Sequence, residues 1–151
     1  QREYAQNPKE LKKAEMLLDK ADKDVAFGYY NSAISMAQKN PVLKESFLMS
    51  ALDINPMYEN AIGELVCVYL KNKNYKEAKK LISNSAFTLE KNYYYYYLCA
   101  MYYQAQGDRK TAIQFYKTCL TLNPSFEIAN KRLLSLIPDK KEYNEKEQED
   151  I

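Results

Sequence analysis

The chain has 151 residues, and its 22 Lys and Arg against 20 Asp and Glu give a net charge of +2, too balanced to favour a polyanion as the main partner. It has no histidine, which removes the usual general base near neutral pH, every Ser/His or Cys/His pair and most zinc sites. Its 3 glycines leave no phosphate-binding glycine loop, so we predict no enzyme activity, no cofactor and no metal site.

Helical periodicity begins close to the start of the chain. Apolar residues at three- and four-residue spacing, from Leu11 to Ala21, define one face of a helix predicted over 8–23. Pro8 stands in the first turn, where proline is tolerated. We expect this helix to cap the N-terminal end of a helix pair predicted over about 25–58.

Two further pairs are predicted over 59–92 and 93–126, and a C-terminal capping helix over 125–137. The short turns inside the pairs lie at 39–41, 71–74 and 106–108. Connections this short make consecutive helices antiparallel. We predict a single helical domain over 1–138, followed by a disordered tail over 139–151, where charged residues leave no apolar face to bury.

The two later pairs repeat each other at a spacing of 34 residues. The matches are Tyr69 with Tyr103, Lys76 with Lys110, Ala78 with Ala112, Leu81 with Phe115 and Ile82 with Tyr116. At twice this spacing Asn55-Pro56 recurs as Asn123-Pro124. Two independent markers therefore indicate a helical repeat array.

This pattern resembles the tetratricopeptide repeat (TPR) family, whose signature is Trp-x2-Leu-Gly-x2-Tyr, then Ala-x3-Phe, then Pro. The repeat 93–126 fills every slot, 59–92 has Glu90 in place of the proline, and 25–58 departs in its first helix. The resemblance implies an all-α, right-handed solenoid of antiparallel pairs, in which the signature residues pack the helices. Those residues are Pro56, Tyr69, Ala78, Tyr96, Ala100, Tyr103, Ala112, Tyr116 and Pro124.

In this family the first helix of each pair lines a concave groove, so the remaining face of those helices is the candidate binding surface. Projecting one stripe through the three pairs selects Tyr29, Met36, Cys67, Leu70, Tyr94, Tyr97, Met101 and Gln104. Tyrosine offers contact area at low entropy cost and a hydroxyl for a peptide backbone, and methionine adapts its shape. The alternative is that part of the stripe packs against a terminal helix of the chain.

A subset of the family grips a C-terminal carboxylate with Lys, Asn and Arg side chains. The matching positions here are Tyr29, Ala33, Glu64, Tyr94 and Leu98. None of them is basic, so we predict that no carboxylate clamp is present.

Nucleic acid is also disfavoured as a partner. Lysines such as Lys76, Lys79 and Lys80 alternate with acidic residues such as Glu77, so they form no continuous basic stripe. We predict a non-enzymatic scaffold that binds a peptide or helix of another protein in an aromatic, apolar groove. The alternatives are a self-associating structural protein and a targeting or regulatory domain of a larger enzyme or RNA-bound complex.

The cysteines and the apolar runs bear on localisation. Cys67, Cys99 and Cys119 are odd in number and lack metal-ligand spacing, which favours a reducing compartment such as the cytoplasm. Because the sequence begins at Gln1, a removed upstream segment and export form the alternative. The longest apolar run, 93–103, is far shorter than the roughly 20 residues of a membrane span, so we predict none.

Overall fold

The protein is all-α in this computed structural model, which describes residues 8–36, 39–89 and 92–137. Its helices are α1 Pro8–Ser35, α2 Pro41–Ile54, α3 Glu59–Lys71, α4 Tyr75–Leu89, α5 Tyr93–Ala105, α6 Arg109–Leu122 and α7 Glu127–Leu136. No strand occurs within the described ranges. None of the helices in those ranges is both long and apolar enough to cross a membrane. The predicted all-α fold class is confirmed.

The N-terminal helix differs from the prediction. A separate capping helix was predicted over 8–23, but α1 continues without a break from Pro8 to Ser35. The residues around position 23 include neither proline nor a helix-ending cap, and Lys23 donates a hydrogen bond to Asp19 one turn earlier, at 2.7 Å. One long helix therefore holds both the predicted cap and the first helix of the first predicted pair.

The chain divides into two compact units between Val68 and Tyr69, inside α3. Unit 1 contains α1, α2 and most of α3, and unit 2 contains the end of α3 and α4 to α7. A single domain over 1–138 stays a prediction. The predicted tail over 139–151 lies outside the described residues, as does Glu90.

In unit 1 the C-terminal half of α1 packs against α2. Small residues of α1, Ala26 and Ala33, are fully buried together with Leu48 and Ala51 of α2. The start of α2 is fixed by Asn40, whose side-chain oxygen accepts a hydrogen bond from the Leu43 backbone N–H at 3.1 Å. Such an N-cap satisfies a backbone donor that the helix itself leaves unpaired.

In unit 2 α5 packs against α6, with α4 adjoining α5 and α7 adjoining α6. The core of the α5 and α6 pair is built from Leu98, Ala100, Ala112 and Tyr116, which are all fully buried. The buried Tyr116 hydroxyl donates a hydrogen bond to the Gln104 side-chain oxygen at 2.6 Å. A polar group is thereby accommodated inside an otherwise apolar core.

The 34-residue period is visible in the hydrogen bonds of the turns of unit 2. After α3 the Asn74 N–H bonds the Tyr69 carbonyl at 2.8 Å, and after α5 the Asp108 N–H bonds the Tyr103 carbonyl at 3.0 Å. In each turn the preceding residue has positive φ: 58° at Lys73 and 81° at Gly107. The same helix-ending turn is therefore built once with lysine and once with glycine.

This difference predicts opposite effects of two substitutions. A left-handed backbone costs a residue with a Cβ about 1 kcal/mol and costs glycine little. We expect Lys73→Gly to raise the unfolding free energy of unit 2 by up to about 1 kcal/mol and Gly107→Ala to lower it by about 1 kcal/mol. Urea unfolding followed by circular dichroism measures both. Equal and same-signed changes would contradict the assignment of these turns.

Candidate functional site

The candidate groove residues of unit 1 are partly accessible. Tyr29 on α1 is exposed, and its ring lies 6.2 Å from that of Phe47 on α2, centroid to centroid. Met36, directly after α1, and Cys67 on α3 are half-buried. Unit 1 therefore offers an aromatic pair at the surface.

The candidate residues of unit 2 fall into two groups. Leu70, Tyr94 and Gln104 are half-buried, whereas Tyr97 and Met101 are 6% and 3% exposed. Helical spacing does place Tyr94, Tyr97, Met101 and Gln104 on one stripe of α5. The middle of this stripe belongs to the interior of unit 2, and its two ends reach the surface.

The chain itself covers the middle of the stripe. Phe126, immediately before α7, lies 5.1 Å from the Tyr97 ring centroid in an edge-on arrangement and 6.3 Å from that of Tyr94. The Arg132 guanidinium of α7 stands 5.9 Å from the Tyr97 centroid, within the range of a cation–π contact. This is the arrangement expected from the alternative in which a C-terminal helix packs on part of the stripe.

Phe126 is the main site residue that the sequence analysis missed. It also contacts Tyr93, at 5.1 Å between centroids. The signal that could have identified it is the 68-residue spacing: Tyr58 stands in the same place after Asn55-Pro56, and its ring contacts that of Tyr30 at 5.2 Å between centroids, tilted by 52°. The two turns also share a backbone hydrogen bond, from Tyr58 to Asn55 and from Phe126 to Asn123.

The positions of the carboxylate clamp carry no basic side chain toward a ligand. Ala33 and Leu98 are fully buried. Glu64 forms an ion pair with Lys44, at 2.9 Å between Oε2 and Nζ. Burial and the nearby Glu64 carboxylate raise the pKa of Tyr30. Unit 1 therefore presents an ion-paired carboxylate and aromatic rings at positions where a clamp would need cations.

The residues assigned to the repeat signature are distributed as packing residues and turn residues. Ala78, Ala100, Ala112 and Tyr116 are fully buried. Tyr69, Tyr96 and Tyr103 are half-buried, while Pro56 and Pro124 are exposed in their turns. The Tyr103 ring stacks on Phe115 of α6 at 5.5 Å with an interplanar angle of 9°.

The buried cysteines are poor nucleophiles. Burial raises the pKa of the Cys119 thiol to about 11 and also raises that of Cys99. Burial likewise raises the pKa of Tyr95 to about 12, and its contact with Cys99 adds to this increase. At neutral pH these groups are uncharged, so neither thiol supplies a thiolate for chemistry.

These shifts predict a loss of stability in alkali. A thiol in the unfolded chain ionises near pH 8.5, whereas Cys119 keeps its proton in the folded state until about pH 11. Between these values the folded state binds more protons than the unfolded state, so stability falls as pH rises. We expect the melting temperature to be level from pH 7 to 8 and to fall above about pH 9. Cys119→Ala should weaken this fall, and an unchanged profile would contradict it.

One repeat of the chain matches a known protein family. The tetratricopeptide repeat family model matches residues 93–126, which comprise α5, α6 and the turn up to Phe126. No curated protein sequence matches the chain.

Several solved structures share the fold. The TPR domain of OM64 from Arabidopsis superposes with a TM-score of 0.59 and 14% identity, covering 76% of this chain and 96% of that one. The first TPR of Spaghetti (RPAP3), bound to the HSP90 peptide SRMEEVD, superposes with a TM-score of 0.59 and 14% identity, covering 74% of this chain and 89% of that one. A mutant O-GlcNAc transferase from Thermobaculum terrenum superposes with a TM-score of 0.62 and 19% identity, covering 79% of this chain and 22% of that one.

At these identities the likeness concerns the fold, and the family model supplies the match in sequence. The model covers one full repeat, and three residues assigned to its signature, Ala100, Ala112 and Tyr116, are fully buried in α5 and α6. Residues 93–126 therefore match a tetratricopeptide repeat, and the chain shares the fold of solved TPR domains.

Proposed function

We propose that this protein-interaction module binds an extended segment or a helix of another protein through aromatic and apolar contacts, without catalysis. The observation that carries the proposal is the group of tyrosines at the ends of the predicted stripe. Tyr29 in unit 1 and Tyr94 in unit 2 both reach the surface beside another aromatic ring, Phe47 and Phe126 respectively.

The predicted groove residues divide into contact and support roles. Tyr29, Met36, Cys67, Leu70, Tyr94 and Gln104 have exposed surface and are proposed to touch the partner. Tyr97, whose ring lies 5.6 Å from that of Tyr94 and 5.1 Å from that of Phe126, is proposed to hold these two rings in place. Met101 is buried and is proposed to support the stripe from the interior of unit 2. Preformed aromatic surfaces of this kind lose little side-chain entropy on binding.

The chemistry of the partner should differ from that of the peptide in the Spaghetti structure. That peptide, SRMEEVD, is acidic and ends in a carboxylate. In this chain, Glu64 occupies one of the clamp positions and Lys44 is already paired with it. An acidic C-terminal tail would therefore meet no free cation there, and we propose an apolar or aromatic segment instead.

Site-specific photocrosslinking tests the proposal. A photoreactive phenylalanine analogue is placed at Tyr94 or at Tyr29 and irradiated in cells that naturally make the protein. We expect covalent adducts with another protein from both positions. Tyr102 is the matched control, because it is a half-buried tyrosine of α5 on a different face of the helix. Adducts from Tyr102 with none from Tyr94 would reject the proposed surface.

A second candidate function is a targeting or regulatory domain of a larger enzyme. The observation that favours it is the likeness to the transferase, of which the matched part makes up only 22%. The complete coding sequence decides this case, since a catalytic domain in the same polypeptide would be apparent there. The self-associating alternative is tested by sedimentation over a concentration series, where a monomer at all concentrations rejects it.

A further inference from the structure

The N-terminal half of α1 is a solvated helix with an apolar seam. Every residue from Pro8 to Val25 is exposed. Five apolar residues in this stretch follow each other at alternating steps of three and four, as the a and d positions of a heptad do. These seam residues are Leu11, Ala14, Leu18, Ala21 and Val25.

Unit 1 does not cover this seam. The residues of α1 that are buried against α2, Ala26 and Ala33, lie roughly a quarter of a turn around the helix from the seam. Leu18 in the seam is 64% exposed, and Leu11 and Val25 are also exposed. The seam shares no residue with the candidate groove, so it is a separate surface.

The charges beside the seam all have one sign. In a heptad the e and g positions flank the apolar residues and face the partner helix. In α1 these positions hold Glu10, Glu15, Asp22 and Asp24, together with the uncharged Pro8 and Leu17. The lysines of this half occupy the outer positions b, c and f. They are Lys9, Lys12, Lys13, Lys20 and Lys23.

From this arrangement we infer that the N-terminal half of α1 is a docking surface for an amphipathic helix of another protein, whose apolar seam is flanked by Lys or Arg. A second copy of this chain would bring carboxylates to face carboxylates in either the parallel or the antiparallel orientation. A basic-flanked helix forms e and g ion pairs instead. Alanine at both d positions lets the two backbones approach closely.

Synthetic peptides of about three heptads serve as the probes. One has Leu at a and d with Lys at e and g, a second has Glu at e and g, and a third is a scrambled Lys peptide of equal charge without a seam. Fluorescence anisotropy with the whole chain measures their affinities. We expect the Lys-flanked peptide to bind at least about tenfold more tightly than either other peptide. Added salt should narrow this difference in affinity, because it screens the ion pairs.

Variants of α1 show where the peptide binds. Leu18→Ser weakens the Lys-flanked peptide by about tenfold, by removing the central seam residue. Met16→Ser is the matched control, because Met16 is 66% exposed on the outer f position of the same helix, and it leaves binding unchanged. The double variant Glu15→Lys with Asp22→Lys abolishes the preference for the Lys-flanked peptide, because two cations then stand beside the seam against the two remaining carboxylates, Glu10 and Asp24.

Three results would overturn the inference. If the scrambled Lys peptide bound as tightly as the Lys-flanked peptide, general charge attraction alone would explain the binding. If Met16→Ser weakened binding as much as Leu18→Ser does, the peptide would not be bound at the seam. A wild-type dimer in sedimentation that Leu18→Ser converts to a monomer would assign the seam to a second copy. None of these results bears on the groove, whose crosslinks come from other residues.

Discussion

Tyr116→Ala should lower the unfolding free energy of unit 2 by about 3–5 kcal/mol, the range found for large aromatic side chains removed from a core. Tyr116 is the largest fully buried side chain of the described residues. It lies on α6, and its ring is 6.2 Å from that of Tyr97 on α5, centroid to centroid. Its removal leaves a cavity between the paired helices, which urea unfolding and hydrogen exchange of α5 and α6 amides detect.

Two further variants separate the ring of Tyr116 from its hydroxyl. Tyr116→Phe keeps the ring and loses the hydrogen bond to Gln104, at a cost of about 1 kcal/mol. Gln104→Leu removes an acceptor of the buried hydroxyl and should cost about 1–3 kcal/mol. In the double variant, Tyr116→Phe should therefore lower the unfolding free energy by less in the Gln104→Leu background than it does in the wild type. A fully additive pair would show that this hydrogen bond contributes nothing.

The fold class was predictable because three sequence signals agree. The 34-residue period, the spacing of apolar residues and the short turns each indicate antiparallel helix pairs. The boundary that was wrong, near position 23, lacks such a signal. Asp22, Lys23 and Asp24 are polar but compatible with a helix, so composition alone could not distinguish a linker from the exposed side of a longer helix.

The candidate site was less predictable, since helical spacing gives the face of a residue but not its neighbours. It placed Tyr94, Tyr97 and Met101 on one stripe, and they do lie on one helix of unit 2. Whether such a stripe stays open depends on where the next element passes. Phe126 crosses it at the end of the turn after α6, and only comparison with Tyr58 at the 68-residue spacing would have indicated an aromatic residue with that role.

The acidic flanks of α1 show a different limit of sequence reasoning. From the sequence, residues Leu11 to Ala21 indicate an ordinary amphipathic helix, which normally buries its apolar face within its own domain. The structure instead leaves every residue of this half exposed. Only then do the charges at e and g become informative, because they face a partner rather than the core.

The second large effect is expected from enlarging a buried alanine. Ala112 on α6 is fully buried, as is Ala78 at the corresponding position of α4. A core packed to this density has no space for three additional carbon atoms, so Ala112→Leu forces the backbone or its neighbours to shift, at about 1–3 kcal/mol or more. Thermal unfolding of unit 2 by circular dichroism measures the loss.

Two matched variants test whether the cost comes from the signature position itself. Ala105→Leu makes the same chemical change at an exposed residue in the last turn of α5 and should leave stability within about 0.5 kcal/mol of the wild type. Ala78→Leu should resemble Ala112→Leu, because both alanines occupy the same slot of the repeat. If Ala112→Leu unfolded at the wild-type temperature, the small residue would not be needed for the helices to pair. A cost for Ala112→Leu but none for Ala78→Leu would mean that the period in sequence is not matched by a period in packing.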